Sequence, residues 1–283
     1  MSRNKIAIVT PLKDEEKNIS RLIFSIENQS VPIFCWIIVE NGSEDNSKNI
    51  LSKIDAVKNV QHFKVIHYTF DDNEYKLGRK YATIISEGLS YLKGKNLYDK
   101  MDYFAILDAD TFPEANYYEA VLEEFQNEPK AGIIGSYGKT DSGEVHLDNK
   151  NDPCGAAMVF SKKCLDECEY RITPSAASVV KTKARILGYR VKTTFNTFFV
   201  SRKMGVNIEQ EYYGKSAYYM GIPLYHALFH FVKGSLKGNF KASSGYLKGY
   251  LKSMIKRKEK IDDQDILNFN RFRFINKLKN SFR

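Results

Sequence analysis

An α/β fold with a mostly parallel central sheet and helices on both faces is predicted by three observations. Short apolar runs alternate with stretches whose apolar residues recur at helical spacing, the pattern of βαβ units. Three of the runs end abruptly in polar or acidic residues, as strands do where open sheets bind ligands. The chain has 283 residues, of which 43% are hydrophobic and 13% aromatic, enough for one large core with an appendage.

Lys5–Thr10 reads as the first buried strand, broken by Pro11 and the charged run Lys13-Asp14-Glu15-Glu16. Ile19, Leu22, Ile23 and Ile26 then recur at helical spacing. Phe34–Val39 is a second strand, closed by Glu40-Asn41-Gly42-Ser43, and Ile50, Leu51 and Ile54 mark a helix. Phe63–Tyr68 is the third strand, followed by a helix carrying Tyr81, Ile84, Ile85, Leu89 and Leu92. The fourth strand, Phe104–Leu107, ends in Asp108-Ala109-Asp110. Tyr118, Val121, Leu122 and Phe125 form the next helical stripe, and Ala131–Ser136 is the fifth strand.

Asp108 and Asp110, at the carboxyl end of a buried strand, can hold a divalent cation through hard oxygen ligands, and the cation can hold a diphosphate. The tripeptide alone is a weak signal, because Asp263-Gln264-Asp265 repeats the spacing in a polar setting. Context strengthens it. The polar ends of strands one, two and four should gather along one sheet edge. No G-x-G-x-x-G follows strand one and no G-x-x-x-x-G-K-[ST] occurs, so a Rossmann dehydrogenase or a P-loop enzyme is not expected.

Taken in order, these segments resemble the family 2 glycosyltransferases of the GT-A, nucleotide-diphospho-sugar transferase fold. Thr10-Pro11-Leu12-Lys13-Asp14-Glu15-Glu16 is similar to the family's "PxxNEE" opening, Val39-Glu40-Asn41-Gly42-Ser43 to its "VDDGS" segment, and Leu107-Asp108-Ala109-Asp110 to its "DxD". Gly78-Arg79-Lys80 stands where the family has a basic residue opening a helix, and Cys154–Phe160 is similar to the strand lining the acceptor side. The resemblance spans residues 5–200. It implies metal-dependent, inverting transfer of a sugar from a UDP- or GDP-sugar to a polysaccharide, glycolipid or other membrane-associated acceptor of the cell envelope. Thr10, Pro11 and Glu15 would line the nucleoside pocket, with Glu40 and Asn41 at the base. Arg79 would help hold phosphate. Asp108, beside Ala109, would approach the ribose or donor sugar, and Asp110 with Asp108 would ligate Mn²⁺ or Mg²⁺. Glu40-Asn41 departs from the family's Asp-Asp, although an amide can still pair with a uracil edge.

The acceptor half departs further. An inverting transferase needs a base, and the family places an acid before a helix ending "R-x-x-G-Y", here Arg185-Ile186-Leu187-Gly188-Tyr189. Ala177 stands where that acid is expected. The base could come from Asp152, Asp166 or Glu167, or the acceptor could be a phosphate that is already ionised. Alternatively, the chain is a sugar-nucleotide-binding pseudoenzyme that acts as a membrane-associated partner. A nucleotidyltransferase would need a glycine-rich, arginine-bearing loop after strand one, which Lys13-Asp14-Glu15-Glu16 does not supply.

The net charge of +9 is uneven: residues 214–283 carry fifteen Lys/Arg and four Asp/Glu, +11, leaving −2 for 1–213. The division expected is thus a catalytic domain, 1–213, and a basic helical segment, 214–283. Leu236–Lys260 interleaves basic residues with Phe240, Tyr246, Leu247, Tyr250, Leu251, Met254 and Ile255, the composition of a helix lying in an anionic membrane interface. No nucleic-acid fold accompanies the charge, so nucleic acid is not an expected partner. Met220–Val232 is too short to span a bilayer, and His226 and His230 have no third ligand in sight. Cys35, Cys154, Cys164 and Cys168 lack paired zinc spacing and are expected as reduced thiols. Without a signal-peptide pattern at its start, the chain is expected in the cytoplasm, peripheral on the inner face of the membrane.

Overall fold

The computed structural model describes residues 4–70, 78–147, 149–202 and 210–272. The first half alternates as its apolar runs predict: β1 (Ile6–Leu12), α1 (Ile19–Glu27), β2 (Ile33–Glu40), α2 (Ser47–Leu51), β3 (Val60–His67), α3 (Arg79–Gly94) and β4 (Tyr103–Leu107). All eight residues of β2 are buried, as a strand covered on both faces requires. The edge strand β3 exposes His62 and Lys64. β5 (Thr111–Pro113), α4 (Tyr117–Asn127), β6 (Ala131–Lys139), β7 (Val145–Leu147), β8 (Ala157–Ser161), α5 (Lys162–Cys168), α6 (Ala176–Ile186) and β9 (Arg190–Ser201) complete the sheet region.

The sheet order is β3-β2-β1-β4-β8-β6-β9-β5, with β7 on β6. From β3 to β4 every pairing is parallel. β8 is antiparallel to both β4 and β6, and β9 returns parallel to β6 but antiparallel to β5. One core cluster joins α3, α5 and α6 to one face of the sheet; a second joins α1, α2 and α4 to the other. α3 lies hard against β1 at Gly88, where a Cβ would meet the Val9 methyls at 2.6 Å.

The first strand does not stop at Pro11. It continues to Leu12, pairing Pro11 with Val39 and Leu12 with Glu40. The pairing with β4 ends at Val9, so Pro11 needs no ladder donor on that side. β5, β7, β9 and α5 have no counterpart among the runs identified in the sequence. In β9, Thr193, Thr194 and Thr197 interrupt the apolar pattern, yet all three are buried by its pairing with β6 and its contact with α4.

Four further helices follow: α7 (Gln210–Tyr219), α8 (Leu224–Leu236), α9 (Phe240–Ile255) and α10 (Gln264–Arg271). The division drawn from charge after residue 213 falls within α7. α9 packs closely on α7: a Cβ on Gly214 would collide with the Tyr246 carbonyl, and one on Gly249 with the Glu211 carbonyl. α10 meets α6 in a small core of Val179, Tyr219, Met220, Ile261 and Ile266. There Asp263 caps α10 through Ile266 N and pairs with Arg171 and Lys183, both at 3.2 Å. No helix among the described residues is long and apolar enough to cross a membrane.

Candidate active site

Parallel pairing brings the carboxyl ends of β1, β2 and β4 to one edge. The loops after β1 and β2 are laced there by reciprocal hydrogen bonds. Asp14 N donates to Ser43 Oγ at 3.0 Å, and Glu44 N donates to Asp14 Oδ1 at 2.7 Å. Glu15 N donates to Ser47 Oγ, Glu16 N to Asp45 Oδ2, and Asn46 N to Glu16 Oε2. Asp14 and Glu16 therefore hold the loops, while Glu15 turns towards β4.

Glu40 is buried, and its carboxylate accepts from Ser43 N at 2.5 Å and lies 3.0 Å from His67 Nδ1. It braces the turn that presents Asn41. The half-buried Asn41 side chain makes no hydrogen bond among the described residues, leaving its amide donor and acceptor for a ligand. Thr10 does not line a pocket. Its fully buried hydroxyl accepts from Trp36 Nε1 at 2.9 Å, because alternation along β1 turns Thr10 and Leu12 to the α1 face and Pro11 to the other.

Asp108 and Asp110 emerge from the end of β4, with Ala109 buried in the core between them. Asp108 N donates to the Ala156 carbonyl at 2.8 Å, and Asp108 Oδ1 accepts from the Tyr81 hydroxyl at 2.6 Å. Burial pushes the Asp108 carboxyl up to about 7; the Tyr81 hydrogen bond opposes the rise, and Asp110 and Glu15 add to it. The same burial and the neighbouring Asp108 charge raise Tyr81 well above the ordinary phenol range. Arg202, just after β9, bridges the acidic residues, donating from Nε to Asp110 and from Nη2 to Glu15. Three carboxylates and one guanidinium thus converge from elements up to 187 residues apart in sequence.

The residues fit a divalent cation of a particular kind. No group of three His, Cys, Asp or Glu side chains disposed to hold a metal occurs among the described residues. Asp108 and Asp110 offer hard oxygens, a partial set whose remaining positions would be filled by diphosphate oxygens and water. Such a set suits an ion bound together with a diphosphate. Arg79 opens α3, exposed to solvent, after Gly78 in the left-handed conformation with φ 80°. Its charge opposes the rise that burial, first, and Glu259 impose on the Tyr219 hydroxyl.

Beside the carboxylates stand α6, α7 and the segment before β8, where the acceptor side is expected. Ala177 packs on Gly155, where a Cβ would stand 3.4 Å from the Ala177 methyl. The Cys154 thiol is pushed up to about 11, first by burial and further by the Asp108 charge. The Tyr170 hydroxyl is buried without a hydrogen-bond partner among the described residues, and burial, with the Asp108 charge, pushes it above the ordinary phenol range. The Tyr212 hydroxyl reaches to 3.0 Å of the point where Gly78 would carry a Cβ.

The acids named from the sequence as bases are not free there. Asp152 pairs with Lys181 Nζ at 2.8 Å and with Arg185 at 3.2 Å. Burial raises its pKa, but Lys181 and Arg185 together outweigh burial and hold it below the ordinary carboxylate value, which makes it a weaker base. Asp166 and Glu167 lie on α5, which starts where Ser161 pairs with Tyr103. Because β8 runs antiparallel to β4, α5 sits at the opposite end of β4 from Asp108. Asp166 accepts from the Tyr98 hydroxyl at 2.6 Å, and Glu167 bonds the Tyr189 hydroxyl.

Tyr81, Tyr170, Tyr212 and Arg202 were not singled out from the sequence. Tyr81 sits in an apolar helical stripe and reads as core. Arg202 follows a strand that the apolar pattern does not disclose.

Comparisons with known proteins agree with this architecture. A family model described as Glycosyl transferase family 2 matches residues 7–175. A Methanococcus voltae dolichyl N-acetyl-alpha-D-glucosaminyl phosphate 3-beta-D-2,3-diacetamido-2,3-dideoxy-beta-D-glucuronosyltransferase is 27% identical over 152 residues, 50% of this chain and 43% of that protein. A 4,4'-diaponeurosporenoate glycosyltransferase of Staphylococcus haemolyticus is 25% identical over 131 residues, 46% of this chain and 30% of that one. The chain thus spans less than half the length of these curated relatives. Among solved structures, S. aureus TarS 1-349 in complex with UDP-GlcNAc superposes with a TM-score of 0.56 at 12% identity, covering 93% of this chain and 78% of that one. The mannosyltransferase PcManGT from Pyrobaculum calidifontis, in complex with GDP-Man and Mn²⁺, gives 0.55 at 13%, covering 90% and 75%. The fold is therefore GT-A, and with more than half of its length matched by the family model, the chain belongs to glycosyl transferase family 2.

Proposed function

We propose that the chain transfers a sugar, with inversion, from a UDP- or GDP-sugar to a polysaccharide or lipid-linked acceptor at the cytoplasmic face of a membrane. The observation that carries this reading is the convergence of Glu15, Asp108, Asp110 and Arg202 on one sheet edge of a family 2 chain. Asn41 presents a free amide to the base, and the laced loops fix the turn that holds it. A divalent cation held by Asp110 with Asp108 would supply charge neutralisation for the departing nucleoside diphosphate. Arg202 is close enough to Asp110 to exchange its carboxylate contacts for the diphosphate. Tyr81 fixes the Asp108 carboxyl, so its position is set before the donor arrives.

Asp152 is held in ion pairs and Glu167 is at the far end of β4, so neither of these acids offers a free base to the acceptor. An acceptor oxygen already ionised at neutral pH, such as a phosphate, fits such a site. The methyl of Ala177 against Gly155 also favours a second reading, a donor-binding pseudoenzyme acting as a membrane-associated partner. Turnover separates the two. Nucleoside diphosphate release above the hydrolysis background, dependent on Mn²⁺ or Mg²⁺ and lost in Asp110→Ala, is the result expected of a transferase. Donor binding without release with any phosphorylated or glycan acceptor would favour the pseudoenzyme. The basic segment 214–283, of which 273–283 lies outside the described residues, holds the chain at the anionic inner leaflet.

A further inference from the structure

The membrane reading of the tail can be narrowed to one helix face, and it is not the one that the composition suggests. α9 carries the basic and aromatic interleaving, but its central apolar residues face inward, and only its ends, Phe240, Met254 and Ile255, are exposed. Tyr246, Leu247, Tyr250 and Leu251 pack with Ala217, Tyr218 and Ala227. Lys248 and Lys252 reach Glu211 on α7. α9 thus packs its central apolar face on α7 and α8.

α8 is different. Its inner side is fixed by fully buried Ala227 and by Gly234, where a Cβ would collide with Ser243 of α9. Its outer side presents Tyr225, Phe229, Val232 and Leu236, spaced i, i+4, i+7 and i+11, with relative exposures of 56%, 62%, 53% and 84%. Phe240, at the start of α9, continues the stripe at 62%. An apolar face of this kind on a polar chain marks an interaction surface. Its rim names the partner. Lys233, Lys237 and Lys241 each follow a member of the stripe by one residue, and all three are exposed. No carboxylate occurs in the sequence between Glu211 and Glu259. Two copies of such a face would set lysine against lysine, whereas an anionic bilayer accepts both the apolar stripe and the basic rim.

We propose that the outer face of α8, extended by Phe240, is the surface by which this chain seats on an anionic lipid bilayer, with Lys233, Lys237 and Lys241 at the headgroups. This rests on the membrane reading of the tail and is independent of the donor site.

The test is sedimentation of the full chain with phosphatidylglycerol–phosphatidylcholine vesicles and with phosphatidylcholine alone. The wild type should pellet with the anionic vesicles and lose them as salt rises. Phe229→Glu with Leu236→Glu should lower partitioning by about tenfold or more, with an unchanged melting temperature because both side chains are exposed. Lys233→Gln, Lys237→Gln and Lys241→Gln together should lower it by about 100-fold, at roughly a factor of five per lysine. Three results would overturn the proposal. A wild type that ignores anionic vesicles removes the membrane reading with it. A glutamate variant that binds like wild type leaves the tail at the membrane but moves the contact elsewhere. A glutamate variant that only converts a dimer to a monomer makes the face an interface between copies. Donor binding, measured in parallel without lipid, should be the same in all variants, so none of these failures bears on the donor site.

Discussion

Asp108-Ala109-Asp110 and Asp263-Gln264-Asp265 share a spacing and little else. The first follows an apolar strand buried from Phe104 to Leu107, so its carboxylates are delivered to a sheet edge beside Glu15, with Arg202 the one cation paired with them among the described residues. Its leading aspartate is pushed up to about 7 by burial. The second begins a surface helix. Burial raises Asp263 too, but its bond from Ile266 N and its Lys183 and Arg171 partners outweigh that and lower its pKa. Asp265 shares Lys183 at 3.1 Å. One motif is left with unneutralised acid that a metal and a diphosphate can use. The other is satisfied by the protein and fastens α10 to α6. Spacing says nothing of this; the element that carries the motif decides it.

The comparison breaks most visibly at Asp110. Asp110→Asn should reduce metal-dependent turnover by 100-fold or more, roughly the loss expected when a group that neutralises transition-state charge is removed, whereas Asp265→Asn should leave kcat/KM unchanged. Equal losses in the two variants, compared in the same release assay, would erase the distinction.

Asp108 and Asp263 should move stability in opposite directions. The folded pKa of Asp108 is raised, so the fold binds its proton more tightly than the unfolded chain does. Ligand-free stability from this group is therefore greatest below the unfolded carboxylate range and falls as pH rises towards about 7. Asp108→Asn should melt higher than wild type at pH 8, converge with it near pH 4, and lose donor binding. For Asp263 the folded pKa is lowered, so its stabilisation is present above the unfolded value and lost as pH falls through the folded one. Asp263→Ala should cost about 2 kcal/mol at pH 7, from a lost cap and two orphaned partners. The deficit should shrink in acid, with donor affinity per folded molecule unchanged. Thermal melts across pH decide both.

Smaller effects sharpen the picture. Tyr81→Phe removes one hydrogen bond to a charged group, a loss of about 2 kcal/mol from donor binding at most, read as a rise in KM. Glu167→Gln, at the far end of β4, should leave kcat and its pH profile unchanged; a collapse of kcat would restore it as a base.

The sequence disclosed the edge better than the residues that complete it. Continuous apolar runs reveal β1, β2 and β4, and parallel pairing then forces their polar ends together. Pattern cannot separate side chains that share a segment. Glu15 faces the site while Asp14 and Glu16 bind the neighbouring loop, and Thr10 is occupied by Trp36. Arg202 and Tyr81 arrive through tertiary packing, from a threonine-interrupted strand and an apolar helix face. Antiparallel return of β8, which moves Glu167 away from Asp108, is likewise invisible to local pattern. In the tail, composition pointed to α9, but packing covers its central apolar residues, Tyr246, Leu247, Tyr250 and Leu251, and leaves the outer stripe of α8 exposed.

The most direct test of the donor site is calorimetric titration of UDP- and GDP-sugars into wild type, Asp110→Asn and Asp265→Asn, each with Mn²⁺, with Mg²⁺ and with chelator. Metal-dependent binding of at least one donor by wild type and Asp265→Asn, abolished in Asp110→Asn, is the predicted result. Binding by none of them, or binding that survives Asp110→Asn and chelator, would contradict it.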